Sequence, residues 1–381
     1  MRIVIAPDSF KECLSAAEVA EAVADGVREV LPAAEIICVP MADGGEGSLD
    51  AVLAATGGQE RWLDVVDANG RACQANWGWL GGGKAFIEMA AAAGLEQIAP
   101  LERQPLQASS YGVGQLVQAA VQAGARHIVL GLGGSATNDA GAGLLQALGV
   151  RLLDAQGHEL PRGGAALRQL DRVVLDGVDA RLKNVQFEIA VDVDNPLCGL
   201  RGASAIFGPQ KGASAEDVAV LDDALSHFAD VCARQFAVDH RNIPGMGAAG
   251  GLGFAVKTCF NASFRPGVEL VAELSGLAAA VEGADLVFTG EGRMDAQTLL
   301  GKTPAGVARY ASRNGIPVIA LVGSLGDGYE ALYQAGITAA FSLAPGPVSL
   351  EQAYAHAAQY LRQRAGDCTR AWLAGSKAVL R

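Results

Sequence analysis

Five times in this 381-residue chain an apolar, strand-like run stops at glycine or acidic residues. Ile3–Ala6 meets Pro7-Asp8-Ser9-Phe10-Lys11, and His127–Leu130 meets Gly131-Leu132-Gly133-Gly134-Ser135-Ala136-Thr137-Asn138-Asp139. Glu188–Val191 meets Asp192-Val193-Asp194-Asn195-Pro196, and Asp285–Thr289 meets Gly290-Glu291-Gly292-Arg293-Met294-Asp295. Ile316–Val322 meets Gly323-Ser324-Leu325-Gly326-Asp327. In α/β sheets, ligands sit outside the carboxyl ends of the strands. Glycine there lets backbone N–H groups approach an anion, and acids there can hold Mg²⁺. The pattern points to an enzyme that handles phosphate.

The length exceeds what a single core usually fills, so two domains are expected. A chain that is 50% hydrophobic and 18% charged is compact and globular, not disordered. Its net charge of −12 argues against a large nucleic-acid footprint. Seven cysteines, an odd number with no CxxC pair, argue against a zinc site or a disulfide framework and for reduced thiols in a cytoplasmic enzyme. The N-terminus opens on a strand with no leader pattern. No apolar run reaches the ~18 residues that a membrane span requires.

The chain begins β-α-β-α. Ser15 with Glu18 forms a capping-box pattern for a helix running towards Leu31, and Ile36–Val39 is the next strand. Met41-Ala42-Asp43-Gly44-Gly45-Glu46-Gly47 then opens a helix through Leu53. Between residues 60 and 110, short alternating runs carry Trp62, Trp77 and Trp79, with Asn69-Gly70 and Gly81-Gly82-Gly83 between them, which predicts β-hairpins. Helical patterns return at Gly112–Ala123, Ala140–Leu148 and 216–236, while 150–210 is irregular and β-rich. From 284 the βαβα texture resumes, and Ser349 with Gln352 is expected to cap one long C-terminal helix. The expected fold is α/β, with a mostly parallel sheet and helices on both faces. Residues 1–60 and 284–381 would form a discontinuous, Rossmann-like domain, and 61–283 an inserted mixed α/β domain, with the active site in the cleft between them.

Gly131–Asp139 is the strongest single signal. Gly133, Gly134, Ser135, Thr137 and Asn138 ahead of an Ala/Leu helix suit an anion cradle at a helix N-terminus. A tight turn closed by an N-cap explains the same residues. The segment is neither a Walker A loop nor GxGxxG. Asp43 and Glu46, beside three glycines, can hold Mg²⁺ or balance a helix dipole. Asp8, Ser9 and Lys11 form a similar turn, where Lys11 neutralises phosphate or is simply solvated. Asp192 ends a strand expected to be buried, where an acid is costly unless paired or used. It is the candidate to accept a hydroxyl proton during phosphoryl transfer, ahead of Asp194. Gln210, Lys211, Glu291 and Asp295 are further polar points at glycine turns, each with a structural alternative. The five histidines show no ligand spacing, and no GxSxG elbow is present.

Eight segments occur in order: Ala6–Lys11, Ala42–Gly47, Gly133–Asp139, Asp192 with Asn195-Pro196-Leu197, Phe207–Ala213, Gly247–Gly251, Gly290–Gly292, and Asp295, Gln297 and Thr298 with Gly301-Lys302. Together they closely resemble the bacterial type I glycerate kinases over essentially the whole chain. The resemblance implies ATP- and Mg-dependent phosphorylation of D-glycerate to 2-phosphoglycerate, on a two-domain α/β fold distinct from P-loop and protein-kinase folds. Its partners would be the small molecules D-glycerate and ATP, with no nucleic acid and no membrane. The residue roles rest on the physical reading above. Asp192, Lys11 and Asp8 are the catalytic candidates. Ser9, Gly133, Gly134, Ser135, Asn138, Asn195, Gln210 and Lys211 would bind phosphate or substrate, and Asp43, Glu46, Glu291 and Asp295 would hold the metal. Cys13, Ser48, Ala140, Asp194 and Met246 depart from the family pattern. Asp194 matters most, because a second carboxylate can raise the pKa of Asp192. The rival readings are a non-catalytic sugar-acid or anion-binding protein, a kinase of a related hydroxy acid giving a 3-phosphoglycerate-type product, and an oxidoreductase on a Rossmann-like sheet.

Overall fold

The computed structural model describes residues 1–379. In chain order the strands among the described residues are β1 (Arg2–Ile5), β2 (Glu35–Cys38), β3 (Gln59–Val66), β4 (Ala72–Gly81), β5 (Lys84–Glu88), β6 (His127–Gly131), β7 (Arg151–Leu153), β8 (Arg172–Val174), β9 (Gln186–Ala190), β10 (Asn261–Arg265), β11 (Leu286–Met294), β12 (Val318–Leu325) and β13 (Ala339–Ser342). The chain divides into two compact units. The first holds residues 1–43, 50–57 and the chain from Pro266 onward; the second holds 44–49 and 58–265. The first unit thus resumes ahead of the expected residue 284. Two apolar helices, Gly267–Leu274 and Leu277–Val281, precede β11, and no strand pattern ahead of them marks the return.

The first unit is built on five parallel strands in the order β2-β1-β11-β12-β13. The chain leaves β1 for β2 on one side and comes back to β11 on the other, so the winding reverses between β1 and β11. Ile3, Ile5, Leu286, Phe288 and Leu321 pack with Val19, Val23 and Val27 of the helix Ala16–Val30 and with Leu361 and Ala365 of the C-terminal helix. The helix Thr303–Ser312 packs on β11 and β12, so the sheet is flanked by helices. Ser15 and Glu18 form the expected reciprocal cap. The expected single C-terminal helix is two. Ser349 and Gln352 cap Leu350–Ala355, His356 leaves helical geometry at φ −116° and ψ 11°, and a second helix runs Ala357–Val379. Neither glycine nor proline stands at the break, so the sequence does not announce it.

The second unit carries a six-stranded mixed sheet in the order β10-β9-β6-β5-β4-β3. β3, β4 and β5 form the antiparallel meander expected from the Asn69-Gly70 and Gly81–Gly83 turns. β5, β6, β9 and β10 are parallel, and their ends are level: Glu88 pairs with Gly131, Gly131 with Ala190, and Ala190 with Arg265. Ile87, Ile128, Leu130, Phe187 and Ile189 share a core with the helices Tyr111–Gln122, Ala142–Ala147, Ala215–Phe236 and Leu252–Cys259. β7 and β8 form a separate ribbon.

The contact between the helix Ala16–Val30 and the C-terminal helix depends on Gly26. A Cβ there would lie 2.0 Å from the Arg362 carbonyl oxygen, whereas one at Gly375 meets nothing within 4 Å. Gly26→Ala should therefore lower the urea midpoint, at a cost of about 1–3 kcal/mol for forced separation. Gly375→Ala should hold or raise it by about 0.4–1 kcal/mol through the unfolded chain's lost freedom. Equal midpoints for the two variants would show that the helices adjust freely.

Candidate functional site

In open α/β sheets the ligand crevice lies where the strand order reverses, which in the first unit is between β1 and β11. Asp8 leaves the end of β1, and its N–H donates to the Gly290 carbonyl at 2.8 Å. Glu291 follows, and it lies inside β11 rather than beyond it. The strand expected to end at Thr289 runs on to Met294 because Gly290, Glu291, Arg293 and Met294 all keep partners on β12. Oδ1 of Asp8 accepts the Ser9 N–H at 2.7 Å and its hydroxyl at 3.3 Å, and Oδ2 accepts the Thr303 hydroxyl at 2.6 Å. Glu291 is 6% exposed. It accepts the Thr298 hydroxyl at 2.6 Å and faces the Lys302 ammonium at 3.5 Å.

Burial first, and the charge of Asp43 second, push Asp8 well above the ordinary carboxylate value, against the pull of the Thr303 and Ser9 hydrogen bonds. Burial also raises Glu291; Thr298 and Lys302 oppose it, and Asp43 adds a smaller push. Carboxylates crowded in this way gain from a divalent cation. Among the described residues no three His, Cys, Asp or Glu are gathered so as to hold a metal by themselves. Mg²⁺ needs less than that, since it commonly takes one or two carboxylates and completes its shell with substrate phosphates and water. The acids fit a metal that arrives on a nucleotide.

The other expected residues of this unit are placed differently. Lys11 is exposed. Asp295 accepts the Gln297 N–H at 2.9 Å and the Arg293 guanidinium at 3.2 Å, and so caps the short helix Ala296–Leu300. Thr298, Lys302 and Thr303 were not singled out for a role in the sequence. The available signal was Gly301-Lys302-Thr303 ahead of a proline-started helix.

In the second unit the expected cradle is differently built. A Cβ at Gly131 would lie 2.7 Å from the Gly44 carbonyl oxygen, and one at Gly133 2.6 Å from Gly45 Cα. Both glycines are needed to seat the 44–45 backbone. The helix that follows starts only at Ala142 and is six residues long. Its first N–H groups are taken by Asp139, whose carboxylate accepts from Gly141 (3.0 Å), Gly143 (3.1 Å) and the N–H and hydroxyl of Ser110 (2.8 and 2.9 Å). Asp139 thus closes the turn ahead of this helix, whose N-cap is Gly141.

What the loop does present is polar and buried. Lys211, 2% exposed, donates to the Ser135 hydroxyl at 2.8 Å and to the Thr137 carbonyl at 2.6 Å. Burial lowers it from an ordinary 10.5 to about 7, against the pull of Asp139. Asn138 donates to the Ser204 hydroxyl at 2.8 Å, while its Oδ1 and the Thr137 hydroxyl are buried with no partner. Gly134, with φ +70°, is exposed at the loop's tip. Glu46 and Gln210 are exposed, and the Gln210 carbonyl accepts from Arg103 at 2.8 Å.

Asp192 does not end a buried strand. β9 stops at buried Ala190, and Asp192 is exposed in the loop beyond. The run Glu188–Val191 suggested a longer strand, but the Val191 N–H already bonds the carbonyl of Arg265, the last residue of β10. Because Gly131 and Ala190 are level, Gly133 and Asp192 leave adjacent strands at the same height. Both oxygens of Asp194 accept from Arg201 at 3.0 Å, and Asn195 donates to the Arg201 carbonyl at 2.8 Å. The second carboxylate beside Asp192 is thus compensated.

A family model described as the glycerate kinase family matches residues 3–373. The chain is 48% identical to a glycerate kinase of Bacillus subtilis (strain 168) over 368 residues, 96% of each chain. It is 48% identical over 355 residues to a glycerate 2-kinase of Escherichia coli (strain K12), covering 93% of each. A Salmonella typhimurium LT2 protein crystallised under the name glycerate kinase 2 superposes with a TM-score of 0.90 at 46% identity, covering 99% of both chains.

Lys211 yields a pH prediction. The unfolded chain holds the Lys211 proton up to an ordinary 10.5, and the folded chain only to about 7. The unfolded state binds more protons in that window, so stability from this group rises with pH across it and is lost as pH falls through about 7. The urea midpoint of the wild type should climb relative to Lys211→Met as the pH is raised through the window. Parallel curves would show that Lys211 titrates as a solvated lysine does.

Proposed function

The chain belongs to the glycerate kinase family, and we propose that it transfers the γ-phosphoryl group of ATP to the 2-hydroxyl of D-glycerate in a Mg²⁺-dependent reaction. The observation that carries this reading is the crowded set of Asp8, Asp43 and Glu291 at the winding reversal of a parallel sheet. A binding protein for a small sugar acid has no use for such repulsion. A phosphotransferase does, because phosphoryl transfer is catalysed chiefly by positioning and charge neutralisation.

We assign the metal to Asp8, Asp43 and Glu291; when bound it supplies charge neutralisation along the nucleotide phosphates. Lys302, beside Glu291, and Lys11 supply further positive charge on the same unit. On the second unit, Lys211 and Ser135 receive an anionic group of a substrate, and the unpartnered Asn138 Oδ1 and Thr137 hydroxyl pair with substrate hydroxyls or carboxylate. A buried orphan of this kind costs about 1–3 kcal/mol until paired, so the cost favours a ligand that completes it. Asp192 accepts the proton of the attacking hydroxyl, and Asn195 braces its loop through the Arg201 carbonyl.

Three measurements test the reading. Purified protein should consume ATP only when Mg²⁺ and D-glycerate are both present; no turnover would leave an anion-binding protein. Proton-coupled ³¹P NMR of the product should give a doublet, from phosphate on the single-hydrogen C2 carbon. A triplet would place it on the CH₂ and overturn the 2-phosphate assignment. Asp192→Asn should lower kcat by at least about 10²-fold, the lower range for losing a general base, with a smaller change in glycerate KM. Near-normal kcat would remove Asp192 from the proton transfer, and rescue by excess Mg²⁺ would make it a metal ligand.

An anion next to Lys211 must also restore its charge. Substrate binding above about pH 7, where Lys211 is largely neutral, should therefore take up a proton. Calorimetry in two buffers of different ionisation enthalpy reads this directly. Buffer-independent heats would exclude Lys211 from anion contact.

A further inference from the structure

We propose that Thr298 and Thr303 are positioning residues, whose hydroxyls fix the directions in which Glu291 and Asp8 present their carboxylates to the nucleotide's metal. This rests on the kinase reading above and deepens it. The two threonines belong to one short segment, Asp295–Thr303, and both are fully buried. Each hydroxyl donates to a different acid at 2.6 Å: Thr298 to Glu291 Oε1 and Thr303 to Asp8 Oδ2.

The division of oxygens is systematic. Asp8 Oδ1 is held by Ser9 and Oδ2 by Thr303; Glu291 Oε1 is held by Thr298, with Lys302 at 3.5 Å from Oε2. A hydroxyl has one hydrogen to give. Thr298 accepts the Asp295 N–H at 3.2 Å within its cap, so the cap uses its lone pair and leaves its hydrogen for Glu291. A purely structural capping residue would have no need of that second contact. Threonine is also stiff about χ1, so both hydroxyls are held by the backbone that carries them. Carboxylates that bind metals are commonly oriented by such outer hydrogen bonds, and losing one typically costs about 10–100-fold in metal affinity or activity. Because both donors sit on one segment, the two acids are aligned as a pair.

The test compares Thr298→Val and Thr303→Val with Thr298→Ser and Thr303→Ser in the full-length protein. Mn²⁺ is titrated into each in the presence of ADP, and free Mn²⁺ is read by its EPR signal, which requires no turnover. The valine variants should bind Mn²⁺ about 10–100-fold more weakly, and the serine variants, which keep the hydroxyl, should recover most of the affinity. In turnover, half-saturating Mg²⁺ should rise in the valine variants while the glycerate KM stays put. Wild-type Mn²⁺ affinity in valine variants, or failure of serine to restore it, would overturn the proposal even if thermal stability had dropped. Should Thr298→Val not fold, Thr303→Val, which lies outside that cap, carries the comparison. A wild-type protein that binds Mn²⁺ and ADP but never phosphorylates glycerate would sink the kinase reading while the valine–serine contrast still judged this one.

Discussion

Everything at the first unit's site follows from the parallel pairing of β1 with β11. Both strands are apolar and buried, Ile3-Val4-Ile5 against Leu286-Val287-Phe288 in register, so neither can slip without exposing its neighbour. The register brings the turn after β1 against Gly290 and Glu291. Two acids are thereby held near each other, with Asp43 close enough to be felt by both. Like charges in a half-buried place are unfavourable, and the apo fold offsets part of the cost with two threonine hydroxyls and one lysine. On the proposed reading a bound cation would relieve the remainder. Stability and function would then pull in opposite directions at this point, as they commonly do at sites that need local frustration.

The second unit solves the opposite problem. Its loop after β6 must stay in one shape while bearing polar groups, and it does so with buried titratable side chains used as struts. Asp139 draws the first N–H groups of a short helix and both donors of Ser110 onto a single carboxylate. Lys211 reaches in from a distant turn to tie Ser135 to the Thr137 carbonyl. A helix end neutralised by its own acid has no field left for a ligand. On the proposed reading, attraction for an anion comes from Lys211, whose charge burial makes conditional.

Local features were legible in the sequence. The Ser15–Glu18 cap, the Asn69-Gly70 hairpin and the helix 215–236 depend on neighbours in the chain. The parallel strands were legible because apolar runs of strand length ended at glycine or acidic residues five times. Features decided at long range were not. A tight turn and an anion cradle share one pattern at Gly133–Asp139, and the Asp139 carboxylate is occupied by Ser110, 29 residues away. Glu291 looked like a loop residue because its partners lie on β12. Asp192 looked buried because the run before it continued one residue past the strand. Thr303 carried only the signal of a helix start: a hydroxyl acting on an acid 295 positions earlier leaves no trace in spacing.

The charge balance joins these points. A chain of net charge −12 repels ATP and glycerate at long range, so attraction must be built locally and where water screens it little. Two of the lysines proposed to supply it, Lys211 and Lys302, feel nearby acids, Asp139 and Glu291. Glu291 faces Lys302 directly at 3.5 Å, while Asp139 acts on Lys211 through its charge alone. A buried ammonium without such a partner would be costly; one fully matched by a carboxylate would have little left to offer a phosphate. The arrangement lies between these limits. Lys211 feels Asp139 only as a background charge while donating to neutral oxygens, and Lys302 stands 3.5 Å from an acid already engaged by Thr298. On the proposed reading both ammonium groups can take up an anion, because Lys211 is held only by neutral oxygens, the Ser135 hydroxyl and the Thr137 carbonyl, and the close contact of Glu291 is the Thr298 hydroxyl.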